Sequence, residues 1–245
     1  MIKRKSLLQG LPAALIVLSA AISISAQDQG GKHNQRPQQA ATPAPVGENK
    51  TEAVKYTYEF SQPKFVVKHI LLEHDANGRG TVTFERLNED TPVVEPIELS
   101  PAALERIRSS WQALQFLETE TNYQADKQFP HLGTMRIGVE RGDSKRVAEF
   151  NWTKNPHASS LANEYRKAAD QAILIFDISV SRENQPLNMP KLMEAMESLL
   201  KRDALSEPNQ LIKLLQDLST DEHIPLIARN HALRLIKKIL AADER

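Results

Sequence analysis

EHDANGRGTVTFER (residues 73–86) admits two incompatible readings, and the choice between them sets the fold. Asp75, Asn77 and Gly80 stand at positions one, three and six of an EF-hand calcium loop, with Val82 at the apolar position eight. Such a loop also needs an oxygen ligand at position five and a bidentate glutamate at position twelve, between two helices. Here those two positions are Arg79 and Arg86, and Glu85 comes one residue early. Asn-Gly between two alternating runs is instead the strongest short signal for a two-residue hairpin turn. After it, Val82 and Phe84 point one way and Thr81, Thr83 and Glu85 the other, which is the period of a half-buried strand. The stretch predicts a hairpin.

The same alternation extends in both directions. YTYEF (56–60) and KFVVKHILLEHD (64–75) predict strands before the turn, and VVEPIEL (93–99) a short edge strand, because Pro96 cannot donate to a ladder on both sides. Ser100 then offers an N-cap and Pro101 a first helical residue. Leu104, Ile107, Trp111 and Leu114 follow at helical spacing. The pattern repeats in outline. GTMRIGVE (133–140) sets Met135, Ile137 and Val139 on one face, RGD (141–143) makes the turn, and SKRVAEFNW (144–152) sets Ala148, Phe150 and Trp152 together. A second helix over 157–176 carries Leu161, Tyr165, Ala168 and Ala172. ILIFDISV (173–180) fits either a helix end or a strand. Residues 56–181 therefore predict an α+β domain, an antiparallel sheet of about four to six strands with two helices on one face.

Beyond it, SRENQPLNMP (181–190) has the composition of a linker. Residues 186–245 predict a small helical module. Its buried stripes are Leu192, Met196 and Leu199, then Leu211, Leu214, Leu215 and Leu218, then Ile224, Ala228, Ala232, Leu235 and Ile239. Short connections make these helices antiparallel neighbours.

The N-terminus supplies an address. Lys3, Arg4 and Lys5 precede the apolar run 11–24, and Ala26 follows as a small residue before a polar stretch. Charge, apolar run and small residue in that order predict a signal peptide over 1–26, with an uncleaved anchor as the alternative. The run is too short to span a bilayer comfortably, since about 20 residues are needed. Residues 27–55, rich in Gln, Pro and Ala, predict a disordered linker. An exported chain, periplasmic or extracellular, follows. With no cysteine, it has no disulfide or thiolate site. Lysine plus arginine and aspartate plus glutamate both number 31, so nothing in the charge calls for nucleic acid.

Motifs for chemistry are few. There is no GxSxG, GxxxxGK[ST], GxGxxG or HExxH sequence. His69 and His74, five apart in a strand, face opposite ways. His223 and His231 lie about two helical turns apart, and His131 and His157 are isolated. Glu118 and Glu120 predict a solvated helix end, and the sequons at Asn49 and Asn151 matter only in a glycosylating pathway. No catalytic, cofactor-binding or metal-ligating residue is nominated, and no cofactor is expected.

The order of elements over 64–175, with its Ser-Pro helix start, resembles exported bacterial domains of unknown function built from a strand-strand-helix repeat. IPLIARNHALRLIKKI, within 208–241, resembles a HEAT-type helical repeat, with Pro225, Arg229 and Ala232 where its second helix carries Pro, Arg and Ala. That resemblance implies a capping or docking module for a protein partner, or a segment that packs only on the α+β domain. Three functions stay open: a non-catalytic binding or structural protein of the bacterial envelope, a hydrolase whose site is scattered in sequence, and a metal-binding sensor.

Overall fold

A computed structural model of the protein describes residues 53–243. The expected signal peptide (1–26) and all but the last three residues of the expected linker (27–55) lie outside the described residues. The fold is α+β, as expected. Strands β1 (Val54–Ser61), β2 (Val67–Asp75), β3 (Arg79–Arg86), β4 (Val93–Glu98), β5 (Thr134–Arg141) and β6 (Ser144–Phe150) form one antiparallel sheet in the order β4-β3-β2-β1-β5-β6. Helices α1 (Pro101–Leu114) and α2 (Pro156–Asn184) follow the two halves of the sheet, and α3 (Met189–Lys201), α4 (Leu211–Thr220) and α5 (Leu226–Asp243) complete the chain. β1 joins the two halves, pairing with β2 on one side and β5 on the other. It opens at Val54, two residues inside the expected linker, because Val54 pairs with Arg141 and packs on the core.

The two faces of the sheet differ in kind. Tyr58, Phe60, Ile70, Leu72, Val82, Phe84, Ile137, Val139 and Phe150 are buried against α1 and α2. Burying each large side chain contributes about 1.5–3 kcal/mol. The other face carries ion pairs between neighbouring strands, such as Lys55 with Glu73 and Arg136 with Glu59 and Glu149. Exposed pairs contribute about 0.2–1 kcal/mol each, so the apolar face holds the sheet.

The first hairpin differs in detail from the sequence expectation. Its connection has three residues, Ala76 to Gly78, rather than two. Gly78 has a φ of 81°, whereas Asn77 stays out of the left-handed region. The Gly78 N–H donates to the Asp75 carbonyl (3.1 Å), and the Asp75 carboxylate accepts from the N–H groups of Asn77 (2.8 Å) and Arg79 (3.0 Å). An aspartate that closes its own turn removes the need for positive φ at the residue before glycine. β4 is an edge strand, as Pro96 requires. Trp152 departs from expectation: β6 ends at Phe150, the Asn151 N–H donates to the Gln124 side chain, and Trp152 is 47 % exposed.

Ser100 caps α1 as expected, and Asn155 caps α2, which starts at Pro156, one residue before the expected start. The Ser100 hydroxyl accepts from the Ala103 N–H (3.0 Å), and Asn155 accepts from His157 and Ala158 (both 3.0 Å). The ambiguous run 173–180 is helix. So is 181–184 of the expected linker, since α2 continues to Asn184 and stops where Gln185 precedes Pro186. Ile173 belongs to the core under the sheet, whereas Leu174 and Ile178 belong to a second core with α3, α4 and α5. In α3 the deepest residues are Met189, Met193 and Met196, with Leu192 and Leu199 at the margin of that core.

Candidate functional site

The C-terminal helix shows the surface least accounted for by folding. Its entry is fixed by Asp221, whose carboxylate accepts from the His223 N–H (3.0 Å) and from the Arg182 guanidinium on α2. The His223 amide, with Arg182 beside it, holds the Asp221 carboxyl down at about 2. Asp221→Ala is expected to lower stability by about 1–2 kcal/mol at neutral pH in urea unfolding, because both donors lose their partner. A depressed carboxyl stabilises above its ordinary pKa of 3.8 and loses that contribution as pH falls toward about 2. The gap between wild type and variant should therefore close over that window.

From this entry α5 turns Ala228, His231, Ala232, Leu235 and Ile239 into the second core. His231 meets Glu197 of α3 (3.1 Å), and Glu197 is also paired with Lys201 and Lys238. The opposite side of α5 carries Leu226, Leu233 and Leu240, which are 60 %, 46 % and 47 % exposed. Seven-residue spacing places them in one row along the helix. Ile227 is also exposed, about 100° around the helix from Leu226. Arg229 and Lys237 border the row and Arg234 stands about 100° around from Leu233; none forms an ion pair among the described residues, and the Arg229 Nε is buried without a partner. One leucine per heptad supplies half of the seam by which a helix packs on another, and this row is left about half exposed by the described residues. The heptad is legible in the sequence, alongside the buried stripe on the other side of α5.

The residues weighed as chemical candidates have structural occupations. Asp75 spends its carboxylate on the turn, which holds it below the usual range, chiefly through the Arg79 N–H. Arg79 pairs with Glu98, and Arg86 reaches across to Asp177 of α2 while lying over the Phe84 ring. His69 and His74 do face opposite ways. His69 lies on the charged face, 3.0 Å from Glu59 and 3.4 Å from Glu85. His74 is buried, with its Nδ1–H donating to the Asp75 carbonyl (2.7 Å). Its Nε2 therefore accepts from the Tyr165 hydroxyl (2.8 Å), which accepts in turn from Trp111 Nε1–H (2.9 Å).

His223 is exposed and His231 buried, and His131 and His157 lie apart on the surface. Glu118 and Glu120 sit exposed in the loop after α1, which Arg146 pins by donating to the carbonyls of Phe116 and Thr121. RGD forms the β5–β6 turn, with Gly142 at a φ of 54°. Asn151 accepts from the Phe129 N–H. No three His, Asp or Glu side chains among the described residues stand where they could share a metal ion. No helix among them is long and apolar enough to cross a membrane. The chain matches no protein-family model and no curated protein sequence.

Proposed function

We propose that this chain is an exported, non-catalytic binding protein of the bacterial envelope that engages another envelope protein through its C-terminal helices. The observation that carries this proposal is the half-exposed leucine row of α5 with its unpaired cations. The N-terminal charge and apolar run support export, and the HEAT-like 208–241 segment supports a docking role. The partner surface that fits is an amphipathic helix with leucine-like residues on one face and acidic residues beside them. A second copy fits poorly, because it would set Arg234 and Lys237 against their own kind.

Site-specific photocrosslinking tests the reading on the full chain. A photoreactive phenylalanine at Leu233 should give one discrete adduct in cells, and the same group at Lys213 on α4 should not. Leu226→Glu with Leu240→Glu should abolish the adduct without changing the melting curve, since both positions are exposed. An adduct insensitive to that pair, or no adduct above the Lys213 control, would overturn the proposal. A chain isolated with Met1 intact from the cytoplasmic fraction would remove its envelope setting.

A further inference from the structure

A second surface lies on the other flank of the molecule, between the free edge of β4 and helix α2. The cavity there has a volume of about 390 Å³. Ile97, Ala172, Ile175 and Phe176 form its apolar lining, and Val180 continues it toward the end of α2. Ile175 and Val180 are both exposed, so folding leaves this lining open to water.

The strand beside the cavity has hydrogen-bonding capacity to spare. The Leu99 N–H donates to the Gly78 carbonyl (2.9 Å). Alternation along an antiparallel ladder then makes Gly80–Ile97, Val82–Glu95 and Phe84–Val93 the bonded pairs. Val94, Pro96 and Glu98 accordingly turn their backbone groups outward. Among the described residues no strand pairs with this edge, which offers three carbonyls and two N–H groups, Pro96 having none to give. Side chains of an added strand that point down from this edge reach the apolar lining.

Charge selects the occupant. Glu95, Glu98, Glu183 and Glu207 all border the cavity. Glu98 is paired with Arg79 and Glu207 with Arg106, whereas Glu95 and Glu183 form no ion pair among the described residues. The lining holds no lysine or arginine. We infer that this groove binds an extended, basic peptide segment of a partner protein, which adds to β4 as a seventh strand. Main-chain bonds supply affinity in this mode and alternate side chains supply selectivity. The inference is independent of the α5 surface.

The peptide KTVTVTK serves as probe, because alternation sets its lysines and valines on one face and its threonines on the other. Titration of the full chain by fluorescence anisotropy should show ETVTVTE binding weaker than KTVTVTK by about ten-fold, as two attractive pairs become repulsive. Glu95→Lys at a half-buried position with Glu183→Lys at an exposed one should reverse that order. Hydrogen exchange should slow at the Val94 and Glu98 amides when KTVTVTK is present. Equal binding of the two peptides, or an order that the double reversal leaves intact, would overturn the inference. So would amides already protected without peptide. Protection that rises with protein concentration would assign the edge to a second copy, and protection independent of it to the chain's own N-terminal segment.

Discussion

Gly80→Ala is expected to cost more than about 4 kcal/mol, a large share of the roughly 5–15 kcal/mol that keeps an ordinary domain folded. A Cβ built at Gly80 would stand 1.8 Å from the Glu73 carbonyl oxygen and 2.7 Å from the His74 Cα. These are backbone atoms of the facing strand, so no side-chain rotation relieves the clash. β2 and β3 would have to separate at the turn that also holds Leu99 to Gly78. Gly138→Ala provides the comparison within the same sheet, since its nearest neighbour is a Val147 methyl at 3.4 Å. Urea unfolding followed by circular dichroism should place Gly138→Ala near wild type, with Gly80→Ala largely unfolded in buffer. Equal midpoints for the two variants would show that the strands have more room at the turn than the geometry gives them.

The second large effect concerns Tyr165. Its hydroxyl is the middle of a buried chain in which Trp111 donates to Tyr165 and Tyr165 donates to His74. Tyr165→Phe keeps the ring, which stacks on Tyr58 at 5.5 Å, and deletes only this link. It leaves the Trp111 N–H and the His74 Nε2 unpaired in the interior, at about 1–3 kcal/mol each. The expected loss is about 2–6 kcal/mol by the same measurement. A loss below 1 kcal/mol would mean that the network is dispensable.

The network also has a pH signature. Desolvation by burial lowers the pKa of His74 below its ordinary 6.5. The unfolded chain then binds a proton that the folded chain refuses. His74 therefore stabilises the fold fully above 6.5, and that contribution is lost as pH falls below it. Protonated His74 would donate at Nε2, leaving the Tyr165 hydroxyl proton with no acceptor. His74→Asn should flatten this acid limb relative to wild type, whatever its stability at neutral pH.

Much of this architecture is written in local pattern. Val82 and Phe84 alternate with Thr81 and Thr83, and the structure buries the first pair completely. Pro96 signals an edge strand, and Ser100-Pro101 a helix start, because each restricts a single backbone donor or dihedral. What escaped depended on contacts between distant segments. The turn at 76–78 is shaped by the Asp75 carboxylate, which Asn-Gly alone does not announce. α2 runs through 181–184 because Ile178 finds a second core, while the polar residues after it resemble a linker in composition. Trp152 leaves its strand because Gln124, 28 residues earlier in the chain, takes the Asn151 amide. The surface of α5 was legible as Leu226, Leu233 and Leu240, but their exposure depends on what α3 and α4 leave uncovered. The β4 groove exists only once α2 lies beside the strand.

Helix α2 spans 29 residues, about 43 Å at 1.5 Å per residue. Its first half lies under the sheet and its second half enters the core of α3 to α5. A beam anchored at both ends does not let either half of the molecule melt privately. Loosening the C-terminal helices would bare Leu174 and Ile178, the first of them directly after Ile173, which belongs to the sheet's own core. The chain should therefore meet heat, denaturant or pulling force as one cooperative body, with its two halves surviving or failing together.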